Sequence, residues 1–303
     1  MKDKTAIVIL NYNNYKDTIN CIDSILCHNT ASVYIIIVDN GSTNESCNVL
    51  EKYVRTICST IDIVLLQSHK NLGYACGNNI GINHALSLGD VQNIMILNND
   101  TLFIEDIIPG LLESLYNDNS CFIVSPLLYT KERTIDYHCA RKRLTWKNIC
   151  VNIAFDVILS KLKIRQKSII DKVVDGCDEI AIEIPSGSCM LMKKIYISQV
   201  GVFDPNTFLY FEENIIYENE IKFNLHNKIV PKYHLIHLGA QSAKEIRSDF
   251  LDKCNLNSAT YFVNEVLEVN NIKKIIFNFS VSIHTIIRYI YIYYKNGFSN
   301  TCK

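Results

Sequence analysis

Glu212 and Glu213 stand next to each other after an aromatic run, Phe208-Leu209-Tyr210-Phe211. Adjacent carboxylates of this kind can take up and release a proton. Asn98-Asn99-Asp100 offers oxygen ligands of the sort a hard divalent cation prefers. Asp39, before Asn40-Gly41-Ser42-Thr43, can accept hydrogen bonds from a nucleotide base or a ribose hydroxyl. The same residue could equally be an Asx group that stabilises a turn. Asn71-Leu72-Gly73-Tyr74-Ala75-Cys76-Gly77-Asn78-Asn79 combines amides with glycines that let backbone approach a ligand closely. Ser186-Gly187-Ser188 and Tyr233-His234-Leu235-Ile236-His237-Leu238-Gly239 follow later. A neutral imidazole in the last segment could bind metal, and a protonated one could meet phosphate.

The segments at 39–43, 71–79 and 98–100 each follow or flank an apolar run. Ala6 to Leu10 reads as a strand covered on both faces and Val33 to Val38 as a second buried strand, with Ile61 to Leu66 and Asn93 to Leu97 as the third and fourth. Asp17–Cys27, Asn48–Ile57 and Asn78–Leu88 carry apolar residues at helical spacing between them. Strands and helices in alternation predict βαβ units in a mainly parallel sheet, whose carboxyl edge is where ligands bind. Further on, 105–116 reads as a helix, and 121–124 as a strand stopped by Ser125-Pro126. Strand signals return at 180–184 and 188–192. Residues 131–178, with Arg141-Lys142-Arg143 and the single tryptophan, Trp146, show no period and read as an excursion over the sheet.

Composition narrows the partners. Hydrophobic residues make up 48% of the 303 and charged residues 20%, as in a globular chain. Thirty basic against 31 acidic residues leave a net charge of −1, which gives nucleic acid no basic footprint. The twelve cysteines form no C-x-x-C pair, so neither a zinc ribbon nor a thioredoxin-like site is expected. The apolar run after Met1-Lys2-Asp3-Lys4-Thr5 is too short for a signal peptide, so the thiols are expected to be reduced, mostly buried and cytoplasmic. A dinucleotide fold needs G-x-G-x-x-G after the first strand; Asn11-Tyr12-Asn13-Asn14 has no glycine, which argues against NAD. A sugar nucleotidyltransferase would want a glycine-rich basic loop at the same turn.

The order of the segments resembles the family 2 glycosyltransferases of GT-A fold, and within them the rhamnosyltransferase-like members that build bacterial surface polysaccharides. The resemblance covers roughly residues 4–245, and Asn71-x-Gly73-x-Ala75-x-Gly77-x-Asn79 carries most of it. It implies an α/β GT-A domain over 1–245; the chain beyond, which reads as helical from about Asn255, is taken as a C-terminal helical segment over 246–303. It implies inverting transfer of a sugar from a nucleoside diphosphate, such as dTDP-rhamnose or a UDP-hexose, to a hydroxyl of a glycan or lipid-linked acceptor. Asn11, Asp39, Asn71, Gly73, Gly77, Asn79, Asn98, Ser186 and Gly187 would line the nucleotide-sugar pocket. Asp100 and His237 would hold Mg²⁺ or Mn²⁺. Glu213 would be the general base, with Glu212 as its neighbour and fallback. Asn98 replaces the first acid of the usual Asp-x-Asp, and Asn214-Ile215-Ile216-Tyr217 replaces the usual continuation after the acidic pair. A non-catalytic relative that binds nucleotide-sugar as an assembly subunit is the alternative. The apolar, aromatic stretch 272–294, flanked by Lys273, Lys274 and Lys295, predicts a packed amphipathic helix with a possible peripheral contact at the inner face of the plasma membrane.

Overall fold

The computed structural model describes residues 4–57, 60–162, 179–239 and 248–299. Strands β1 (Lys4–Asn11), β2 (Val33–Asp39), β3 (Asp62–Gln67) and β4 (Val91–Asn98) run parallel in the order β3-β2-β1-β4. Helices α1 (Tyr15–His28), α2 (Ser46–Thr56) and α3 (Gly73–Ser87) cross between them. Alternate residues of β1 enter opposite cores, which is why the strand is apolar throughout. Ile7 and Ile9 pack with Ile22 and Ile25 of α1, whereas Ala6 and Val8 pack with Ala75 and Ile82 of α3.

The parallel expectation holds for this half; beyond β4 the sheet is mixed. β10 (Cys189–Lys193) runs antiparallel between β4 and β6 (Cys121–Thr130). β11 (His226–His237) lies parallel to β6, with β5 (Thr101–Phe103) and β8 (Ile180–Ile182) antiparallel to it. β7 (Ala140–Arg141) and β9 (Ile184–Pro185) form a separate two-stranded ribbon. Pro126 does not stop β6, contrary to the sequence expectation. Its partner β11 shifts register between Val230 and His234, a bulge that contains Pro231. Prolines lack the ladder N–H, and bulges are where sheets accommodate them. α4 (Ile108–Tyr116) begins later than expected, with Pro109 in its first turn, where a missing N–H costs nothing.

The excursion is ordered over 131–162: it contains β7 and α5 (Trp146–Lys161). The remainder, 163–178, lies outside the described residues, as does the expected boundary at 245–246. α6 (Lys194–Val200) and α7 (Glu212–Glu220) follow. The C-terminal part consists of α8 (Ser248–Tyr261), a π-helical turn at Phe262–Val266, and α9 (Asn271–Ser299). These helices share an apolar cluster with α5 and α7, built from Ile149, Ile153, Phe211, Ile215, Phe262 and Phe277. By length and composition α9 could cross a membrane, yet Phe277, Ser280 and His284 are buried along one side of it. All nine cysteines among the described residues are free, and six are buried.

Candidate active site

The carboxyl ends of β1 and β2 meet in a polar cluster. Asp39 is only 2% exposed. Its Oδ2 accepts from Asn11 Nδ2 (2.8 Å) and Ser42 Oγ (2.7 Å), and its Oδ1 accepts from Ser42 N (3.0 Å). Thr18 Oγ1 donates to Asn11 Oδ1 (2.9 Å), so Asn11 is held from both ends. These bonds hold the turn after β2.

Asn40, the next residue, ties this cluster to α3. Its Nδ2 donates to Asn71 Oδ1 (3.1 Å) and the Gly73 carbonyl (3.0 Å), and its Oδ1 accepts from Leu72 N (3.0 Å). Asn71 Oδ1 also accepts from Gly73 N (2.9 Å). α3 starts at Gly73, five residues earlier than its sequence pattern suggested, so the Asn-and-Gly segment is mostly helix. Gly73 has φ +81°, and a Cβ there would lie 2.2 Å from the Phe208 carbonyl oxygen. Gly77 faces the sheet, where a Cβ would meet Leu10 Cδ1 at 2.7 Å. Asn79 spends its amide on the Phe203 backbone, donating to O (2.7 Å) and accepting from N (3.0 Å). Gly77 and Asn79 thus pack α3 in place.

Tyr74 leads from this cluster to the acidic pair. Its N–H donates to the Phe208 carbonyl (2.7 Å) and its hydroxyl to the Gly187 carbonyl (2.8 Å). Gly187 N–H in turn donates to Glu213 Oε1 (2.9 Å). Arg141 Nη2 lies 3.0 Å from Glu213 Oε2. Glu212 and Glu213 open α7 directly after Tyr210 and Phe211, both in the left-handed region (φ +74° and +71°). Non-glycine residues there cost about 1–3 kcal/mol each, and such strain gathers at functional sites. Ser258 of α8 donates to the Leu209 carbonyl (2.9 Å) and braces the turn. Arg143 clamps the other side of α7 through a two-pronged contact with Glu218, both bonds 2.7 Å.

The two carboxylates differ in setting. Glu212 is buried and its Oε1 has no hydrogen-bond partner among the described residues. Burial, aided by the neighbouring Glu213 charge, pushes its carboxyl up to about 8. Glu213 is partly exposed and faces a pocket of about 460 Å³. Asn98, Ser186, Gly187, Glu212 and His237 share that lining with Arg141 and Lys142, while Ile149, Ile153 and Asp156 of α5 form a wall.

His237 and Asp100 come together where β11 meets β5. His237 Nε2 lies 3.4 Å from Asp100 Oδ1 and 3.3 Å from Ser188 Oγ, and its Nδ1 is 3.2 Å from Asp136 Oδ2. Burial alone would push this imidazole down, but the flanking carboxylates Asp100 and Asp136 outweigh it and hold His237 up at about 9. A proton thus sits where a divalent cation could. A carboxylate, plus an imidazole whose second nitrogen is held by another carboxylate, is a donor set that suits such an ion. Asn98 Nδ2 reaches Ser188 Oγ (3.4 Å) at the pocket edge. A second acidic group, Asp156, Asp252 and His284, lies between α5, α8 and α9. Arg288 Nη1 is 2.9 Å from Asp252 Oδ1 and the Ile153 carbonyl lies 3.0 Å from His284 Nδ1, so this group serves as an interhelical clamp.

Asp136, Arg141 and Tyr74 were not singled out from sequence. The first two lie in the aperiodic excursion, where the Arg141-Lys142-Arg143 run was the only signal. Residues 6–201 match the profile of Glycosyl transferase family 2. The chain belongs to glycosyl transferase family 2. It is 25% identical over 214 residues to the low-salt glycan biosynthesis hexosyltransferase Agl10 of Haloferax volcanii, covering 70% of this chain and 60% of Agl10. It is 30% identical over 128 residues to an uncharacterized glycosyltransferase of Rickettsia felis, covering 42% of this chain and 19% of that one. The chain therefore spans less than two thirds of either relative. Among solved structures, GalNAc-T7 with UDP, GalNAc and Mn²⁺ superimposes with a TM-score of 0.57 at 12% identity, over 78% of this chain and 44% of that one. S. aureus TarS 1–349 in complex with UDP-GlcNAc gives 0.53 at 11% identity, over 93% and 72%. At such identity the likeness is one of fold, and the fold of this family 2 member is GT-A.

Proposed function

We propose that this family 2 glycosyltransferase moves a hexose from a nucleoside diphosphate to an acceptor hydroxyl, with inversion at the anomeric carbon. The observation that carries the reading is that Glu213 and His237, the latter joined to Asp100, face one pocket. The acceptor oxygen forms its bond to the anomeric carbon as the bond from that carbon to the diphosphate breaks. Glu213 takes the hydroxyl proton, and the electron pair leaves with the nucleoside diphosphate. An ionised carboxylate oxygen accepts more than one hydrogen bond, so Glu213 can receive the hydroxyl while keeping Gly187 N and Arg141. Glu212, protonated at neutral pH, adds no second negative charge. Arg141 and Lys142 supply positive charge to the pocket. Asp100 and His237 would hold Mg²⁺ or Mn²⁺, which when bound offsets charge on the departing diphosphate.

UDP-hexose and dTDP-rhamnose are the donors proposed. The first is favoured by the UDP in both superimposed structures. A role in glycan assembly is supported by the likeness to Agl10; surface polysaccharide on the cytoplasmic side is the setting proposed for it. The test is thermal unfolding with Mn²⁺ and UDP, dTDP or GDP in turn. A native-state ligand at a hundredfold excess over its Kd adds about 2.7 kcal/mol of stability. A metal-dependent rise with one nucleotide is expected, followed by transfer that Glu213→Gln slows about a hundredfold or more. A Glu213→Gln protein that transfers as well as the parent would refute the assignment.

A further inference from the structure

Helix α9 has two unlike faces. Phe277, Ser280 and His284 are buried against the rest of the chain, and Arg288 pairs with Asp252 of α8 on the same side. Ile272, Ile275, Phe279, Ile286, Tyr289 and Tyr293 are 60–71% exposed. At 3.6 residues per turn these six fall within an arc of about 100°, opposite the buried side. A soluble helix normally turns charged residues outward; this one turns out isoleucine, phenylalanine and tyrosine. α5 packs against the buried side of α9 through Ile149 and Ile153. Scattered apolar residues need no explanation, but six on one face of a helix mark an interaction surface.

The charge pattern selects the occupant. Between Asn271 and Ser299 there is no Asp or Glu, against Lys273, Lys274, Arg288 and Lys295. At the start of α9, Trp146 Nε1 donates to the Lys273 carbonyl (3.1 Å), and the Lys273 ammonium lies 5.7 Å from the Trp146 ring centre. Tyr289, Tyr291, Tyr293 and Tyr294 crowd its far half. Basic residues with aromatics at the ends of an apolar stripe suit the headgroup level of a bilayer. A second copy of this acid-free helix would offer Lys273, Lys274 and Lys295 no acidic partner. Spanning would carry Asp252, His284 and Arg288, with the α5 side of α9, into hydrocarbon.

We propose that the exposed face of α9 lies in the surface of an anionic lipid bilayer. The docking does not rest on the glycosyltransfer reading.

The test is co-sedimentation of the full chain with vesicles of phosphatidylcholine alone or with phosphatidylglycerol. The parent and Glu213→Gln should both sediment with the anionic vesicles and bind phosphatidylcholine less. Ile275→Glu with Phe279→Glu should lower the partition coefficient about tenfold or more, with an unchanged melting temperature and unchanged donor binding. Ile286→Glu with Tyr289→Glu repeats the test on a separate turn, should the first pair disturb folding. Failure of the parent to sediment, or equal sedimentation by the parent and a folded double variant, overturns the proposal. A dimer on light scattering that either pair dissolves also overturns it, and gives the face to a second copy. Since binding needs neither donor nor base, its failure leaves the activity assignment standing, and loss of activity leaves docking intact.

Discussion

Arg141 Nη2 and Glu213 Oε2 lie 3.0 Å apart, an ion pair that joins residues 72 positions distant in sequence (213 − 141). With Gly187 N on the other oxygen, it fixes the more exposed carboxylate of the acidic pair at the pocket. A base held in this way keeps its geometry before the acceptor arrives, which is where orientation lowers a barrier.

Glu213 and Glu212 should separate cleanly on substitution. Glu213→Gln is expected to lower kcat about 10²- to 10⁴-fold with donor binding retained. Glu212 is raised to about 8 and so already carries its proton near pH 7. Glu212→Gln should therefore keep most activity at that pH. Steady-state rates for both variants decide, and a larger loss at Glu212 would reverse the roles.

Gly187 has no room for a methyl group. A Cβ would stand 2.5 Å from Glu213 Oε1 and 2.9 Å from the Tyr74 hydroxyl. Gly187→Ala should move the carboxylate and reduce kcat about 10²-fold, with little change in melting temperature. Kinetics and unfolding measured together distinguish this from a folding defect.

Asp136 holds His237 Nδ1 and so aims Nε2 at Asp100. Asp136→Asn is expected to weaken Mn²⁺ about 10- to 100-fold, the usual size for an outer partner of a histidine ligand. A Mn²⁺ titration of the thermal shift reads it directly, independent of turnover. Unaltered Mn²⁺ dependence would remove Asp136 from the site.

Glu220 is fully buried on α7, beside Asn227, and burial raises its carboxyl from 4.5 to about 9. The folded chain therefore keeps a proton that the unfolded chain releases between these values. Stability from this group is complete below about pH 4.5 and declines as pH rises to about 9. Glu220→Gln should flatten that decline, adding about 1–3 kcal/mol near pH 8 and little near pH 5. Denaturant melts at the two pH values provide the comparison.

Gly73 has φ +81° and lies against the Phe208 backbone. Gly73→Ala should destabilise the protein by more than about 1 kcal/mol and loosen the contact between α3 and the turn ahead of Glu212. A lower urea midpoint is the expected result.

The strands β1, β2 and β4 were legible because their residues are apolar on both faces, as a covered parallel strand requires, and β3, half-exposed at the sheet edge, was legible from its apolar run. The chemical types at their ends, Asp39, Asn98 and Asp100, were legible with them, as was the acidic pair that opens α7. Asp136 and Arg141 were not, since 131–145 has no period and reaches the pocket only by folding over the sheet. The sequence also showed Gly77 and Asn79 inside a ligand-like pattern, while packing turned one to Leu10 and the other to the Phe203 backbone. Local pattern determines which residues form an element and what chemistry they carry. Which carboxylate meets an arginine, which histidine lies between two acids, and which helix face remains uncovered depend on contacts between distant segments, and only the tertiary structure decides those.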